Sequence, residues 1–168
     1  MNVLETERTL LRRLEPSDAE FILGLLNEPS FLHYIGDKGV RTLDDARAYI
    51  ENVPLTSYAR FGFGLYLTTL KDGTPIGICG LVKRDALTDV DVGFAFLPAY
   101  WGHGYALESA LAVLEHGKRD HGLTRIVAIA NADNESSIRL LERLGLTFER
   151  AVRLTEGSSE VSLFGRVL

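Results

Sequence analysis

Phe94-Ala95-Phe96-Leu97-Pro98-Ala99-Tyr100-Trp101-Gly102-His103-Gly104-Tyr105-Ala106 is the stretch on which the fold turns. An aromatic, apolar strand stops at Pro98, runs into a glycine-containing turn, and the turn opens a long amphipathic helix. Gly102 and Gly104 permit positive φ and close approach of a ligand to the backbone. The N–H groups of Gly104, Tyr105 and Ala106 stand at the helix start, where no intrahelical acceptor exists. Together with the helix dipole they form an anion site suited to a phosphate or pyrophosphate. The same residues also fit a tight strand-to-helix turn whose glycines serve geometry alone. No Gly-Lys-Ser/Thr follows, so this is not a Walker P-loop. The third glycine of the dinucleotide fingerprint is missing, and the strands before it read as antiparallel.

Working outward, residues 62–70, 75–83 and 89–97 read as an antiparallel meander, turned at Asp72-Gly73 and at residues 85–88. Residues 104–119 form the strongest helix, with Leu107, Leu111 and Leu114 on one face and Gly122 as its stop. A strand at 124–130, a helix at 134–144 closed by Gly145, and a hairpin of 146–154 with 160–167 complete the C-terminal half. On the N-terminal side, residues 9–14 read as a strand. Ser17 and Glu20 have capping-box spacing before a helix carrying Phe21, Ile22, Leu25 and Leu26. A second helix starts at Thr42 and ends before Pro54, and the 31–40 segment between the two reads as irregular. Repeats, low-complexity runs and linkers are not seen.

The chain has 168 residues, 46% hydrophobic and 24% charged, which fits one globular domain spanning 1–168 and excludes a disordered chain. Lys and Arg number 18 against 23 Asp and Glu, a formal charge of -5, and this argues against a general nucleic-acid binder. The acidic balance weakly favours cationic substrates. Met1 to Glu7 holds charge and no apolar run, so no signal peptide is expected, and no stretch approaches the roughly 20 apolar residues of a membrane span. Cys79 is the single cysteine, and it shows no metal-ligand spacing with His33, His103, His116 or His121. A cytoplasmic location, no metal and no membrane partner are the expectations.

The segment from Trp101 to Ala106 resembles the acyl-CoA pyrophosphate loop, R/Q-x-x-G-x-G/A, of the GCN5-related N-acetyltransferases (GNAT), with Trp101 where Arg or Gln is usual. The version here is similar to that of the RimJ/RimL-type branch, which contains ribosomal-protein N-terminal acetyltransferases. Three further stretches resemble that branch. They are Leu4-Glu5-Thr6-Glu7-Arg8-Thr9-Leu10-Leu11-Arg12-Arg13-Leu14, Asp91-Val92-Gly93-Phe94, and Asn134-Glu135-Ser136-Ser137-Ile138-Arg139-Leu140-Leu141-Glu142-Arg143-Leu144-Gly145. The resemblance spans nearly the whole chain. It implies an α/β (α+β) fold: a mixed, mostly antiparallel sheet of about seven strands flanked by helices.

The resemblance also implies a site and a reaction. Acetyl-CoA is the expected cosubstrate. Its pantetheine arm would lie between splayed strands, bonded by backbone groups around Phe96 and Leu97 and touched by Asn134. Its pyrophosphate would rest on the N–H groups of Trp101, Gly102, His103, Gly104, Tyr105 and Ala106. His103 stands where many relatives have Lys or Arg; it would pair with phosphate when protonated, or be a surface histidine. Asp91 occupies the family's strand-Glu position and is the candidate base, the alternative being a surface carboxylate beside a turn. Leu141 stands where many members have a Tyr acid, so Ser137 is the candidate proton donor, the alternative being a helix-packing role.

The expected activity is direct transfer of an acetyl group to a primary amine. A protein N-terminal α-amine is the preferred acceptor, because its pKa of about 7.7–8.0 leaves far more free base than the roughly 10.4 of lysine. A small amine, amino acid or antibiotic is the alternative acceptor. A non-catalytic acyl-CoA sensor and a nucleotide-phosphate binder are the rival classes, and a homodimer is left open. Phe31, His33, Tyr34, Tyr58 and Phe61 are candidates for the acceptor wall or for the core.

Overall fold

The computed structural model describes residues 2–168. Its elements are β1 (Asn2–Glu5), β2 (Thr9–Arg13), α1 (Ala19–Leu26), α2 (Pro29–Tyr34), α3 (Leu43–Ile50), α4 (Thr56–Phe61), β3 (Leu65–Leu70), β4 (Pro75–Val82), β5 (Asp91–Phe96), α5 (Tyr105–His121), β6 (Arg125–Ala130), α6 (Glu135–Arg143), β7 (Thr147–Val152) and β8 (Val161–Val167).

The sheet has eight strands in the order β1-β2-β3-β4-β5-β6-β8-β7. The extra strand relative to the expectation is β1, whose 4 residues at the sheet edge are too few to show a periodicity. Every neighbouring pair is antiparallel except β5 and β6, which run parallel. Strand alternation places the two faces of β5 in two cores. Val92, Phe94 and Phe96 pack with α5 and α6, whereas Ala95 and Leu97 pack with α1, α2 and α3.

Local chemistry accounts for most helix boundaries, with three corrections. Thr42 caps α3, its side chain accepting from Asp45 N–H at 3.0 Å while Asp45 reaches back to Thr42 N–H at 3.2 Å. The first capping box is formed by Glu15 and Asp18, not by Ser17 and Glu20, because Asp18 is also held by both terminal nitrogens of Arg12, at 2.9 and 2.8 Å. Pro54 does not end the second helix. A π turn at Glu51–Leu55 absorbs the missing N–H, and the helix continues until Gly62, whose φ of 80° closes it. Part of the 31–40 segment is helical, as the end of α2.

Tyr58 ties these layers together. Its hydroxyl accepts from the Leu14 N–H at 3.0 Å and donates to the Leu65 carbonyl. In the same core, where the Tyr58 and Tyr66 rings stack at 5.6 Å, the buried His116 donates or accepts between Asp120 at 2.8 Å and Tyr66 at 3.3 Å, which satisfies a polar group inside the core. No described helix is long and apolar enough to cross a membrane.

Candidate active site

Strands β5 and β6 share a single registered pair, Asp91 with Val127, locked by Val127 N–H donating to Val90 O at 3.1 Å. Beyond it they diverge. On its other edge β5 stays paired with β4 as far as Leu97, whose N–H donates to Ile76 O at 2.9 Å. Backbone direction alternates along a strand, so the N–H and C=O groups of Val92, Phe94 and Phe96 face the divergence. The Leu97 N–H is turned toward β4 instead, and its carbonyl accepts from the Tyr100 N–H at 2.9 Å. The Phe96 carbonyl already accepts from the Trp101 indole N–H at 2.8 Å, which pins the exposed Trp101 ring to the end of β5.

Gly102 and Gly104 have φ of 77° and 84°, the left-handed region that favours glycine. Trp101 N–H is consumed by Pro98 O at 3.2 Å, and the first intrahelical bond of α5 is Glu108 N–H to Gly104 O at 3.0 Å. Between them, the N–H groups of residues 102–106 have no acceptor among the described residues. The 17-residue helix α5 aims its dipole at the same point. A Cβ at Gly102 would meet nothing within 4 Å, so the loop is open to a ligand.

Asp91 is buried at 1% exposure, which excludes the surface-carboxylate alternative. Its Oδ2 accepts from Arg84 Nε at 2.7 Å, and its Oδ1 is buried without a partner among the described residues. Burial pushes the carboxyl above its ordinary value, and the Arg84 charge and hydrogen bond only partly oppose this. Along that face of β5 the next positions are Gly93 and Ala95, so no bulky side chain stands between Asp91 and the strand end. The charge of Arg84 reaches Tyr49 and Lys38. Partial desolvation, reinforced by Arg84, lowers the Lys38 ammonium; burial raises the Tyr49 phenol, against Arg84.

Across the divergence, Asn134 caps α6, its Oδ1 accepting from Ser137 N–H at 3.3 Å. The Ser137 hydroxyl makes no hydrogen bond within the described protein. It lies one turn before Leu141, which is 1% exposed in the core and supplies no acid. The β6–α6 loop meets α2: Asn131 Nδ2 donates to Tyr34 O at 2.9 Å, and His33 lies 3.6 Å from Asp133. His33 and Tyr34 are thus brought to the site's rim. Tyr58 and Phe61 are not; Tyr58 bridges backbone groups, and Phe61 stacks on Phe63 beside the C-terminal end of α5. Phe31 is 5% exposed in the second core. Cys79 is fully buried, and burial pushes its thiol up to about 12, which removes it as a nucleophile. Among the described residues no group of three or more His, Cys, Asp or Glu is placed to hold a metal ion.

Sequence reasoning did not single out Arg84, Arg8 or Asn131. Arg84 carried a signal, a basic residue seven before Asp91 across a turn. Asn131 carried none, since its role rests on contact with a helix about 100 residues earlier.

Residues 8–147 match the family model described as an acetyltransferase (GNAT) domain. The Bacillus subtilis protein YkkB is 31% identical over 156 residues, covering 89% of this chain and 88% of that protein. The B. subtilis N-acetyltransferase YoaA is 29% identical, covering 90% of this chain and 86% of its own. RimL, a ribosomal L7/L12 α-N-protein acetyltransferase solved with coenzyme A, superposes with a TM-score of 0.84 at 18% identity, covering 100% of this chain and 98% of that chain. A strand divergence, a helix-start loop with unpaired N–H groups and a family match over most of the chain agree: this protein belongs to the GNAT acetyltransferases and is an acyltransferase.

Proposed function

We propose that the protein moves an acetyl group from acetyl-CoA directly to a primary amine, with a protein N-terminal α-amine as preferred acceptor. The observation that carries this reading is the divergence of β5 from β6 directly beside Asp91, leading into a loop with unpaired N–H groups. The site fits the cosubstrate. The outward-facing groups of Phe94 and Phe96 suit the pantetheine amides as an added strand would, and the N–H groups of Gly102, His103, Gly104, Tyr105 and Ala106 suit the pyrophosphate. Trp101 contributes through its ring and its hold on β5. Leu97 contributes by closing the β4 ladder. The Nδ2 of Asn134, without a partner among the described residues beside the capping Oδ1, suits a contact with the arm.

In the reaction the amine nitrogen forms a bond to the thioester carbon, and its proton passes to Asp91 Oδ1 through water. The negative charge on the carbonyl oxygen is held by a backbone N–H on the free edge of β5. The C–S bond then breaks, the electron pair leaves on sulfur, and the Ser137 hydroxyl donates or relays the proton that the thiolate takes up. A carboxylate is a modest base, and this suits an α-amine better than a lysine.

The test presents N-terminal peptides and small amines side by side with acetyl-CoA, read by mass spectrometry and thiol release. Acetylation of peptide α-amines in preference to small amines is the expected result. Preference for small amines overturns the acceptor, and tight CoA binding without turnover on any amine overturns catalysis.

A further inference from the structure

The loop of residues 101–106 carries no fixed cation of its own; Trp101 stands at its head and His103 is its sole titratable cationic side chain. The structure brings one in from β2's approach. Arg8 Nη1 donates to the His103 carbonyl at 2.9 Å, and its guanidinium carbon lies 4.6 Å from the Tyr105 ring centre. Arg8 Nε donates to Glu108 Oε1 at 2.8 Å, and Arg8 backbone N–H donates to Glu108 Oε2 at 2.8 Å. Thr6 Oγ1 donates to that same Oε2 at 2.6 Å. Just below, Thr9 and Ser109, both 0% exposed, share a hydroxyl hydrogen bond of 3.1 Å. The first turn of α5 is therefore clamped to the chain segment before β2.

Glu108 explains why the clamp matters. It sits in the first turn of α5, where a carboxylate normally gains from the dipole but where a second anion would be repelled by it. Burial alone would favour its neutral form. The Thr6 and Arg8 hydrogen bonds and the Arg8 charge outweigh burial and hold its carboxyl below the ordinary value, so it is an anion at neutral pH. Arg8 cancels that charge. Its planar fork also serves Glu108 and the His103 carbonyl at once through two separate nitrogens, a geometry that the single ammonium nitrogen of a lysine does not reproduce.

We propose that Arg8 is a positioning residue for pyrophosphate binding: it fixes the loop backbone through the His103 carbonyl and neutralises Glu108, leaving the N–H groups of residues 102–106 as an unopposed anion site. This rests on reading the loop as the pyrophosphate site of acetyl-CoA. Preorganised donors bind more tightly than donors that must be ordered on binding.

The test measures steady-state kinetics with acetyl-CoA and with S-acetylpantetheine, which lacks the pyrophosphate, for Arg8→Gln, Arg8→Lys and the loop variant Gly102→Val. The Arg8→Gln variant raises KM for acetyl-CoA about 10–100-fold, the scale of a lost charge-assisted hydrogen bond. Its kcat stays within about threefold, and its KM for S-acetylpantetheine stays at the wild-type value. The Arg8→Lys variant, which keeps the charge and the backbone contact to Glu108, lies between. Should Arg8→Gln fail to fold, the same split in Arg8→Lys carries the test. An unchanged KM for acetyl-CoA in the Arg8 variants, with a raised one in Gly102→Val, overturns the role of Arg8 and leaves the loop reading standing. No effect in any variant overturns both. Equal losses on the two acyl donors assign Arg8 to general stability and overturn the proposal.

Discussion

Arg84 Nε holds Oδ2 of Asp91 at 2.7 Å, while the other oxygen of that carboxylate is buried and has no partner among the described residues at the point where β5 and β6 part. An oxygen left bare beside a strand divergence is an oxygen available to a reacting proton.

Substituting Asp91→Asn is expected to lower kcat/KM by about 10²–10⁴-fold near neutral pH, the range for a positioned base. The loss is largest at low pH, where little acceptor is free amine, and shrinks as the amine deprotonates unaided. A pH–rate profile checks this, and an unchanged profile removes Asp91 as the base.

Burial raises the Asp91 carboxyl above 3.8, against the opposing Arg84 charge. The folded state therefore holds this proton more tightly than the unfolded chain. The resulting stability is fully present below about 3.8 and is lost as pH rises through the folded value. Arg84→Gln removes the opposing charge. The acidic limb of kcat/KM is expected to move to higher pH in that variant, and a limb that stays or moves down contradicts the assignment.

Ser137→Ala is expected to lower kcat about 10²-fold, the lower end for proton transfer, because a thiolate needs protonation less than an alkoxide would. Stability should not change, since the Asn134 cap uses the Ser137 backbone N–H and not its hydroxyl. Wild-type kcat in the alanine variant assigns the thiolate's proton to solvent.

Tyr58→Phe removes a hydroxyl that satisfies Leu14 N–H and Leu65 C=O inside the protein. Leaving them unpaired costs about 2 kcal/mol, or roughly 4–8 °C in Tm for a chain of this size. Thermal denaturation measures the shift. KM values should stay at wild type, because Tyr58 lies apart from the site.

Much of the fold was legible because the signals are local. The Thr42 cap, the Asp72-Gly73 turn, the Gly122 stop and the apolar stripe of α5 each depend on a few neighbouring residues. Where reading failed, a distant partner or a backbone adjustment had intervened. Asp18 is drawn into its cap by Arg12, Pro54 is accommodated by a π turn, and β1 exists because β2 offers it an edge. Of the candidate site, Gly102 and Gly104 were visible as residue types in a pattern, and Asp91 through the resemblance of its strand to that of the family.

The sequence by itself determined the strand–turn–helix from Phe94 to Ala106 and the glycines that let its N–H groups stay free. It could do so because backbone conformation and helix-start chemistry are written in adjacent residues. Only the tertiary structure decided that Asp91 is buried with one oxygen bare, that β5 leaves β6 one pair after meeting it, and that Arg8 reaches the loop. Those facts depend on desolvation and pairing between segments far apart in the chain. Their free energies belong to neighbours that a single stretch of sequence does not contain.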